Sequence, residues 1–144
     1  VHEASVRGVF ALEPEGAMQL AQRMQSSKFL DPALAFYAAY AYHDLGDLGR
    51  IREMCSYLRD KLHLVPFDAA MLAREFMAET APRDVYPAAP LLAQGWALVD
   101  VLCPRFDDAL RPLRARLTRS LWSQYDAEGT QLLSNWIGRT GDGR

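Results

Sequence analysis

Residues 33–47 have the sequence ALAFYAAYAYHDLGD, and this stretch decides the fold class. Its first ten residues are alanine, leucine, phenylalanine and tyrosine, so a helix built from them is apolar on nearly every side. Such a helix is normally central, with neighbours on several sides. Gly46 follows, and glycine readily adopts the left-handed conformation at a helix end. We therefore predict a buried helix over residues 32–45.

The starts of helices are marked in one form, an apolar residue followed by aspartate. Four pairs of this form precede a helical pattern: Leu30-Asp31, Phe67-Asp68, Phe106-Asp107 and Tyr125-Asp126. An aspartate at this place accepts hydrogen bonds from free backbone N–H groups and favours the positive end of the helix dipole. We expect a helix at each pair, with Phe67 packing on Leu72 as a hydrophobic staple.

The remaining helices follow from the spacing of apolar residues. An apolar stripe recurs at helical spacing at Ile51, Cys55, Leu58 and Leu62. The signals together predict helices over residues 14–26, 32–45, 48–62, 68–78, 90–102, 107–124 and 127–138. Short links imply antiparallel neighbours. The predicted fold is all-α, an irregular antiparallel helical bundle or short array of helical hairpins with about six to seven helices.

Prolines interrupt the helical pattern. Three of them make residues 80–90 an irregular connection: Pro82, Pro87 and Pro90. Pro112 falls inside the 107–124 helix, where proline costs about 3 kcal/mol. Either a turn at 107–111 precedes a helix from Pro112 to Tyr125, or one kinked helix continues. Residues 62–67 are the best strand candidate, but Pro66 breaks them and no sheet is expected.

Length and composition set the domain organisation. The 144 residues fit one helical domain over residues 1–137, with a glycine-containing tail at 138–144 that we expect to be disordered. The chain begins with Val1, so we expect a domain excised from a longer protein. Fourteen arginines against two lysines suggest a GC-rich bacterial genome.

Charge and hydropathy exclude several classes of function. The formal net charge of −2 gives no bulk attraction to nucleic acid or acidic lipid. No apolar run reaches the length of about 20 residues that spans a bilayer. Four arginines surround a leucine stripe as a solvated helix face, which makes nucleic-acid binding an unfavoured interpretation: Arg111, Arg114, Arg116 and Arg119. Two cysteines without a disulfide framework indicate a reduced, cytoplasmic setting.

The stretch Ala39 to Asp47 resembles the turn region of a tetratricopeptide repeat. Ala39 occupies the small position of that family, Tyr42 the tyrosine, and Gly46-Asp47 the turn. Three residues fall at the packing positions of the second helix: Ile51, Cys55 and Leu58. His63 stands where the family has a closing proline. A second fragment, residues 106–110, resembles the start of a repeat's second helix but is out of phase. The resemblance implies helical hairpins that bind proteins.

No residue pattern indicates catalysis, a cofactor or a metal site. Cys55 and Cys103, with His2, His43 and His63, lack a nucleophile motif or the closely spaced ligand pairs of a zinc site. Asp107 and Asp108 diverge by about 100° on a helix. Glu75 and Glu79 indicate a solvated surface. We expect no catalytic residues, no cofactor and no enzymatic activity.

The aromatic helix provides the candidate binding residues. Tyr37 and Tyr40 are three residues apart, and Asp44 continues their row. In a groove they would form an aromatic and acidic strip suited to a peptide, because tyrosine is frequent in binding hot spots. Packing against the next helix is the alternative. Trp96, Trp122 and Trp136 are expected in the core.

Three functions are consistent with the sequence. The first is a non-catalytic protein–protein interaction or adaptor domain with a protein or peptide partner. The second is a regulatory region of an enzyme whose catalytic domain lies elsewhere in the chain. The third is a helical domain that binds a small ligand.

Overall fold

The protein is described from a computed structural model that covers residues 33–141. These residues are mostly helical, as the sequence predicted, with one two-stranded sheet. The α-helices are α1 (Ala33–Asp44), α2 (Leu48–Leu62), α3 (Phe67–Leu72), α4 (Val99–Leu102) and α5 (Ala127–Gly141). Short 3-10 helices lie at Glu75–Met77, Ala93–Leu98 and Arg111–Arg116, and the strands are β1 (Val65–Pro66) and β2 (Val85–Tyr86). The predicted helix 14–26 and the Asp31 helix start lie outside the described residues.

Helix α1 is central, as its composition predicted. Its buried residues are Ala35, Tyr37, Ala38, Ala39, Tyr40, Ala41 and Tyr42. It packs against α2 and α3, and Phe36 and Tyr37 contact the Trp122 ring with centroids 5.8 and 6.1 Å away. The alanines let neighbouring backbones approach closely, while the tyrosines fill the space between them.

A tight turn leads from α1 into α2. Gly46 has φ +72°, and the Asp47 carboxylate accepts a hydrogen bond from the Arg50 N–H at 3.1 Å. The face of α2 that enters the core carries Ile51, Met54, Cys55 and Leu58. Leu62 is 54% exposed, so its predicted place on this face is wrong. The helix ends there because His63 adopts the left-handed conformation.

The prediction that no sheet forms is wrong, because the structure contains a short parallel sheet. Val65 pairs with Val85 and Pro66 with Tyr86. The partner strand lies within residues 80–90, which the prolines marked as irregular. Two-residue strands are too short to show an alternating pattern, and Pro66 needs no N–H at the end of so short a ladder.

The helices after α2 are shorter than predicted. The 68–78 helix ends at Leu72, because Arg74 is left-handed with φ +63°. The 90–102 helix consists of a 3-10 segment and the four-residue α4. The prediction of a helix over residues 107–124 is wrong. A turn at 107–111 precedes a 3-10 helix around Pro112. Residues 117 and 125 then form an antiparallel bridge.

Helix α5 begins where the sequence indicated. Asp126 precedes it and accepts a hydrogen bond from the Gly129 N–H at 2.8 Å. The helix continues through Gly141, past residue 138 where the tail was expected to begin. Residues 142–144 lie outside the described part of the chain.

Asp68 does not cap α3 as predicted, because it lies inside the first turn with Pro66 at the N-cap position. It is fully buried. Its carboxylate accepts hydrogen bonds from the Tyr40 hydroxyl at 2.6 Å and from the N–H groups of Leu91 and Leu92 at 2.6 and 3.1 Å. Burial raises the pKa of Asp68, and these three donors oppose that rise. The carboxylate thus joins α1, α3 and the segment before the 3-10 helix at Ala93.

Residues 121–123 also form hydrogen bonds with this segment. The Ser123 hydroxyl donates to the Pro90 carbonyl at 2.7 Å and accepts from the Trp96 indole N–H at 3.1 Å. The backbone N–H of Ser123 donates to the Leu91 carbonyl at 2.7 Å. Residues 90–92 are therefore fixed in the core although they form no helix.

Gly95 provides a test of this junction. A Cβ atom there would lie 2.3 Å from the Tyr40 hydroxyl and 3.0 Å from Pro90 Cβ. We expect Gly95→Ala to lower the free energy of unfolding by about 1–3 kcal/mol, the usual cost of overpacking. The measurement is urea denaturation followed by circular dichroism.

Gly138→Ala is the matched control, because a Cβ at Gly138 meets nothing within 4 Å. Alanine in a helix interior is better than glycine by roughly 0.5–1 kcal/mol, so this variant should be as stable as the parent or more so. Equal stability of both variants would contradict the packing described for Gly95.

Candidate functional site

The three predicted binding residues do not form one exposed strip. Tyr37 and Tyr40 are buried, at 4% and 3% exposure, and only Asp44 is exposed. Tyr40 and Asp44 do border a common surface depression, with Gln94 and Leu98 on its other side. The Tyr40 hydroxyl is, however, committed to Asp68. The packing alternative therefore describes both tyrosines.

Cys55 and Cys103 form no disulfide, and both are buried as small apolar side chains are. Burial, and after it the neighbouring Glu75 carboxylate, together raise the pKa of the Cys55 thiol to about 12. Burial also raises the pKa of Cys103, against the influence of Arg111 and Arg105. A thiol is a nucleophile only as thiolate, so neither cysteine has the environment of a catalytic residue. His2 lies outside the described residues.

Glu75 belongs to an ion-pair cluster rather than to the solvated surface predicted for it. Arg59 Nη2 donates to Glu75 Oε1 at 2.7 Å, and the same guanidinium binds both carboxylate oxygens of Asp84. This contact holds the pKa of Asp84 below its usual value. The cluster links α2 to Glu75 and to Asp84, the residue before β2, and so acts as a structural cross-link.

The arginines after residue 110 are mostly paired. Arg111 binds Asp100 and Asp108, and Arg116 binds Asp126 and Glu128. Arg111 also lies over the Phe106 ring, 5.7 Å from its centroid. These carboxylates neutralise the charges of Arg111 and Arg116 within the fold.

An apolar cavity lies beside the proline-rich segment. It has a volume of about 230 Å³ and is walled by aromatic and small apolar side chains. The Phe67 ring contacts Phe76 and Phe106, with centroids 4.8 and 5.9 Å apart, and Trp96 braces Phe106 from behind at 5.6 Å. We call this the inner cavity; the rest of its lining is Ala81, Pro82, Val85, Pro87, Ala88, Cys103, Arg105 and Asp107.

A second cavity of about 380 Å³ adjoins it, the outer cavity. Val85, Pro87 and Ala88 line both. The outer cavity is completed by Tyr86, Trp136, Ile137 and Thr140. We refer to the two cavities together as the Tyr86 groove. The groove runs between the segment after β2 and the C-terminal half of α5.

Two large apolar side chains of the groove face solvent. Tyr86 is 72% exposed and Ile137 is 55% exposed. Trp136, expected in the core, is only half-buried, and its indole N–H donates to Asp107 Oδ2 at 2.8 Å. Trp96 is buried as expected, whereas Trp122 is half-buried against the core.

Asp107 and Arg105, two polar residues of the groove, make hydrogen bonds within the protein. Asp107 accepts from Trp136 and, at its other oxygen, from the Ala109 N–H at 2.9 Å. Arg105 donates to backbone carbonyls of the 76–79 segment. No arrangement of acid, base and nucleophile lies in the groove. Most of its lining side chains are apolar.

Sequence reasoning missed this groove, because its parts are 50 residues apart. The proline cluster at 82–90 was a usable signal, since prolines give a stiff segment that cannot pack as a helix. Trp136 and Ile137 gave no such signal, because both fit an ordinary amphipathic helix.

Comparisons with protein-family models, with curated proteins and with solved structures find no match for this chain. Function must therefore be inferred from the geometry.

Two further observations concern the described part of the chain. Within residues 33–141, no helix combines the length and apolar character needed to cross a bilayer. Among the same residues, no three histidine, cysteine or acidic side chains converge where they could hold a metal ion.

The environment of Cys55 predicts its reactivity. A thiol with a pKa near 12 should react with iodoacetamide at pH 8 roughly a thousandfold more slowly than in the urea-unfolded chain, since each pKa unit is tenfold in thiolate. Mass spectrometry of peptides after timed alkylation measures this for each cysteine.

Glu75→Gln should speed alkylation of Cys55 by removing the nearby negative charge. Cys103, whose pKa does not depend on Glu75, is the internal control and should keep its rate. Equal rates for Cys55 in folded and unfolded protein would contradict this environment.

Proposed function

We propose that the chain is a non-catalytic protein-interaction or adaptor domain that binds an apolar segment of a partner protein in the Tyr86 groove. The observation that carries this proposal is the exposure of Tyr86 and Ile137 on opposite walls of one groove. Tyrosine supplies a large contact area with a polar tip at little entropic cost, which suits it to interfaces.

The lining of the groove supports an apolar occupant. Its floor of phenylalanine rings is fixed by edge and tilted ring contacts, so the cavity does not depend on a mobile side chain. The Trp136 indole N–H donates a hydrogen bond to the Asp107 carboxylate, so neither group needs a polar partner from a ligand. Contiguous exposed apolar surface of this kind marks interaction sites in soluble proteins.

We also propose that α1 and α2 form an antiparallel, tetratricopeptide-like hairpin inside an irregular bundle. Support comes from the left-handed Gly46, from Asp47 at the start of α2 and from the complete burial of Ala39 and Tyr42. The hairpin would then serve as the scaffold, and the groove formed by later residues as the binding surface.

Selection from a displayed library of random 12-residue peptides tests the binding function. We expect the protein to enrich peptides rich in large apolar residues. Synthetic copies of the enriched sequences are then measured by fluorescence polarisation. Tyr86→Ser and Ile137→Ser should each weaken binding about tenfold or more, since hot-spot side chains cost upward of 1.4 kcal/mol.

Val101→Ser is the matched control, because Val101 is 68% exposed but lies on α4 and does not line the groove. It should bind like the parent. Equal affinity in all three variants would show that the groove is not the binding surface. Failure to enrich any peptide would overturn the proposal.

A photoreactive residue at position 86 tests for other occupants. With an enriched peptide present, we expect the crosslink to join position 86 to that peptide. Crosslinks only to residues 1–32 of the same chain, or only to a second copy, would contradict the proposal and identify the true occupant.

A further inference from the structure

We infer that Arg105 makes the Tyr86 groove selective for a partner segment that carries a carboxylate next to a large apolar side chain. This inference rests on the proposed function and specifies its partner. The segment places its apolar side chain among the rings of the inner cavity and its carboxylate against the guanidinium at the edge of that cavity.

The Arg105 guanidinium is held in place by backbone oxygens. Nη1 donates to the Glu79 carbonyl at 2.7 Å, and Nη2 donates to the carbonyls of Phe76, at 3.5 Å, and Ala78. A guanidinium has five N–H donors. These three bonds leave N–H donors for a further acceptor. Because the Arg105 side chain is already fixed, a partner that binds it loses little affinity to the entropy of ordering that side chain.

The charge of Arg105 is not matched by a carboxylate among residues 33–141. Four other arginines among the described residues do have carboxylate partners: Arg59, Arg111, Arg114 and Arg116. Arg105 has only carbonyl dipoles as partners. An exposed, oriented cation at the edge of an apolar cavity favours an anionic group on whatever fills the cavity.

Asp107 determines on which side of the cavity the carboxylate can lie. It lines the same cavity, and both of its oxygens already accept hydrogen bonds, from Trp136 and Ala109. Its negative charge disfavours a second carboxylate nearby. The acid of the partner is therefore directed to Arg105, and the apolar side chain fills the space lined by Phe67, Phe76 and Phe106.

Matched peptides test this selectivity without altering the protein. The probes are acetylated and amidated hexapeptides with two phenylalanines, each with one glutamate at a defined remaining position, and each paired with its glutamine twin. Binding is measured by fluorescence polarisation with the full chain. We expect at least one glutamate peptide to bind about tenfold more tightly than its twin, as charge-assisted hydrogen bonds give. The preference should decrease as salt is raised.

Arg105 variants assign the effect to this side chain. Arg105→Gln should abolish the preference for glutamate, so that the glutamate peptide binds this variant no more tightly than its glutamine twin. Arg105→Lys should retain part of the preference, because it keeps the charge without the fork of donors. A purely structural role for Arg105 would instead weaken both twins equally.

Two results would overturn the inference. One is equal affinity of the twins for the parent protein, and the other is a preference that survives in Arg105→Gln. If the twins bind equally and Tyr86→Ser still abolishes binding of both, the groove remains a binding surface and only the acidic specificity is wrong.

Discussion

The Asp68 carboxyl group has no solvent exposure, and three hydrogen-bond donors converge on it. A buried polar group whose hydrogen bonds are left unmade costs about 1–3 kcal/mol. Two of the donors belong to consecutive residues of a segment without helical structure. The carboxylate binds the N–H groups of residues 91 and 92, and the backbone of residues 121 and 123 binds the same segment at residues 93 and 91. The carboxylate joins this segment to α3 and, through Tyr40, to the central helix.

This junction places the wall of the Tyr86 groove. The chain pairs with β1 at Val85 and Tyr86 and enters the Asp68 junction at Leu91, so residues 87–90 are fixed at both ends. The prolines of this stretch restrict its backbone further. Across the groove, Trp136 is fixed to Asp107. Exposure of Tyr86 and Ile137 follows from the way these two walls are held apart.

The sequence predicted the elements whose signals are local. The all-apolar face of α1, the Gly46-Asp47 turn and the Asp126 start of α5 each depend on residues within one or two turns of helix. Asp68 and Asp107 have the same apolar-Asp pattern as Asp126, but their carboxylates bind groups 23 to 29 residues away, Leu91, Leu92 and Trp136. Local patterns cannot distinguish a capping aspartate from one with a distant partner. The groove likewise joins residues 82–90 to the distant end of α5, and Tyr37 and Tyr40, predicted as binding residues, are buried because α1 is surrounded.

Residue-resolved amide hydrogen exchange tests most directly whether Asp68 fixes the non-helical segment. The account predicts that the N–H groups of Leu91 and Leu92 exchange as slowly as those at the centre of α2. It also predicts that Asp68→Asn, which keeps one acceptor oxygen and loses the charge, speeds exchange at these two residues while the centre of α2 stays protected. Exchange of Leu91 and Leu92 in the parent protein as fast as at the exposed Arg83 would contradict the account.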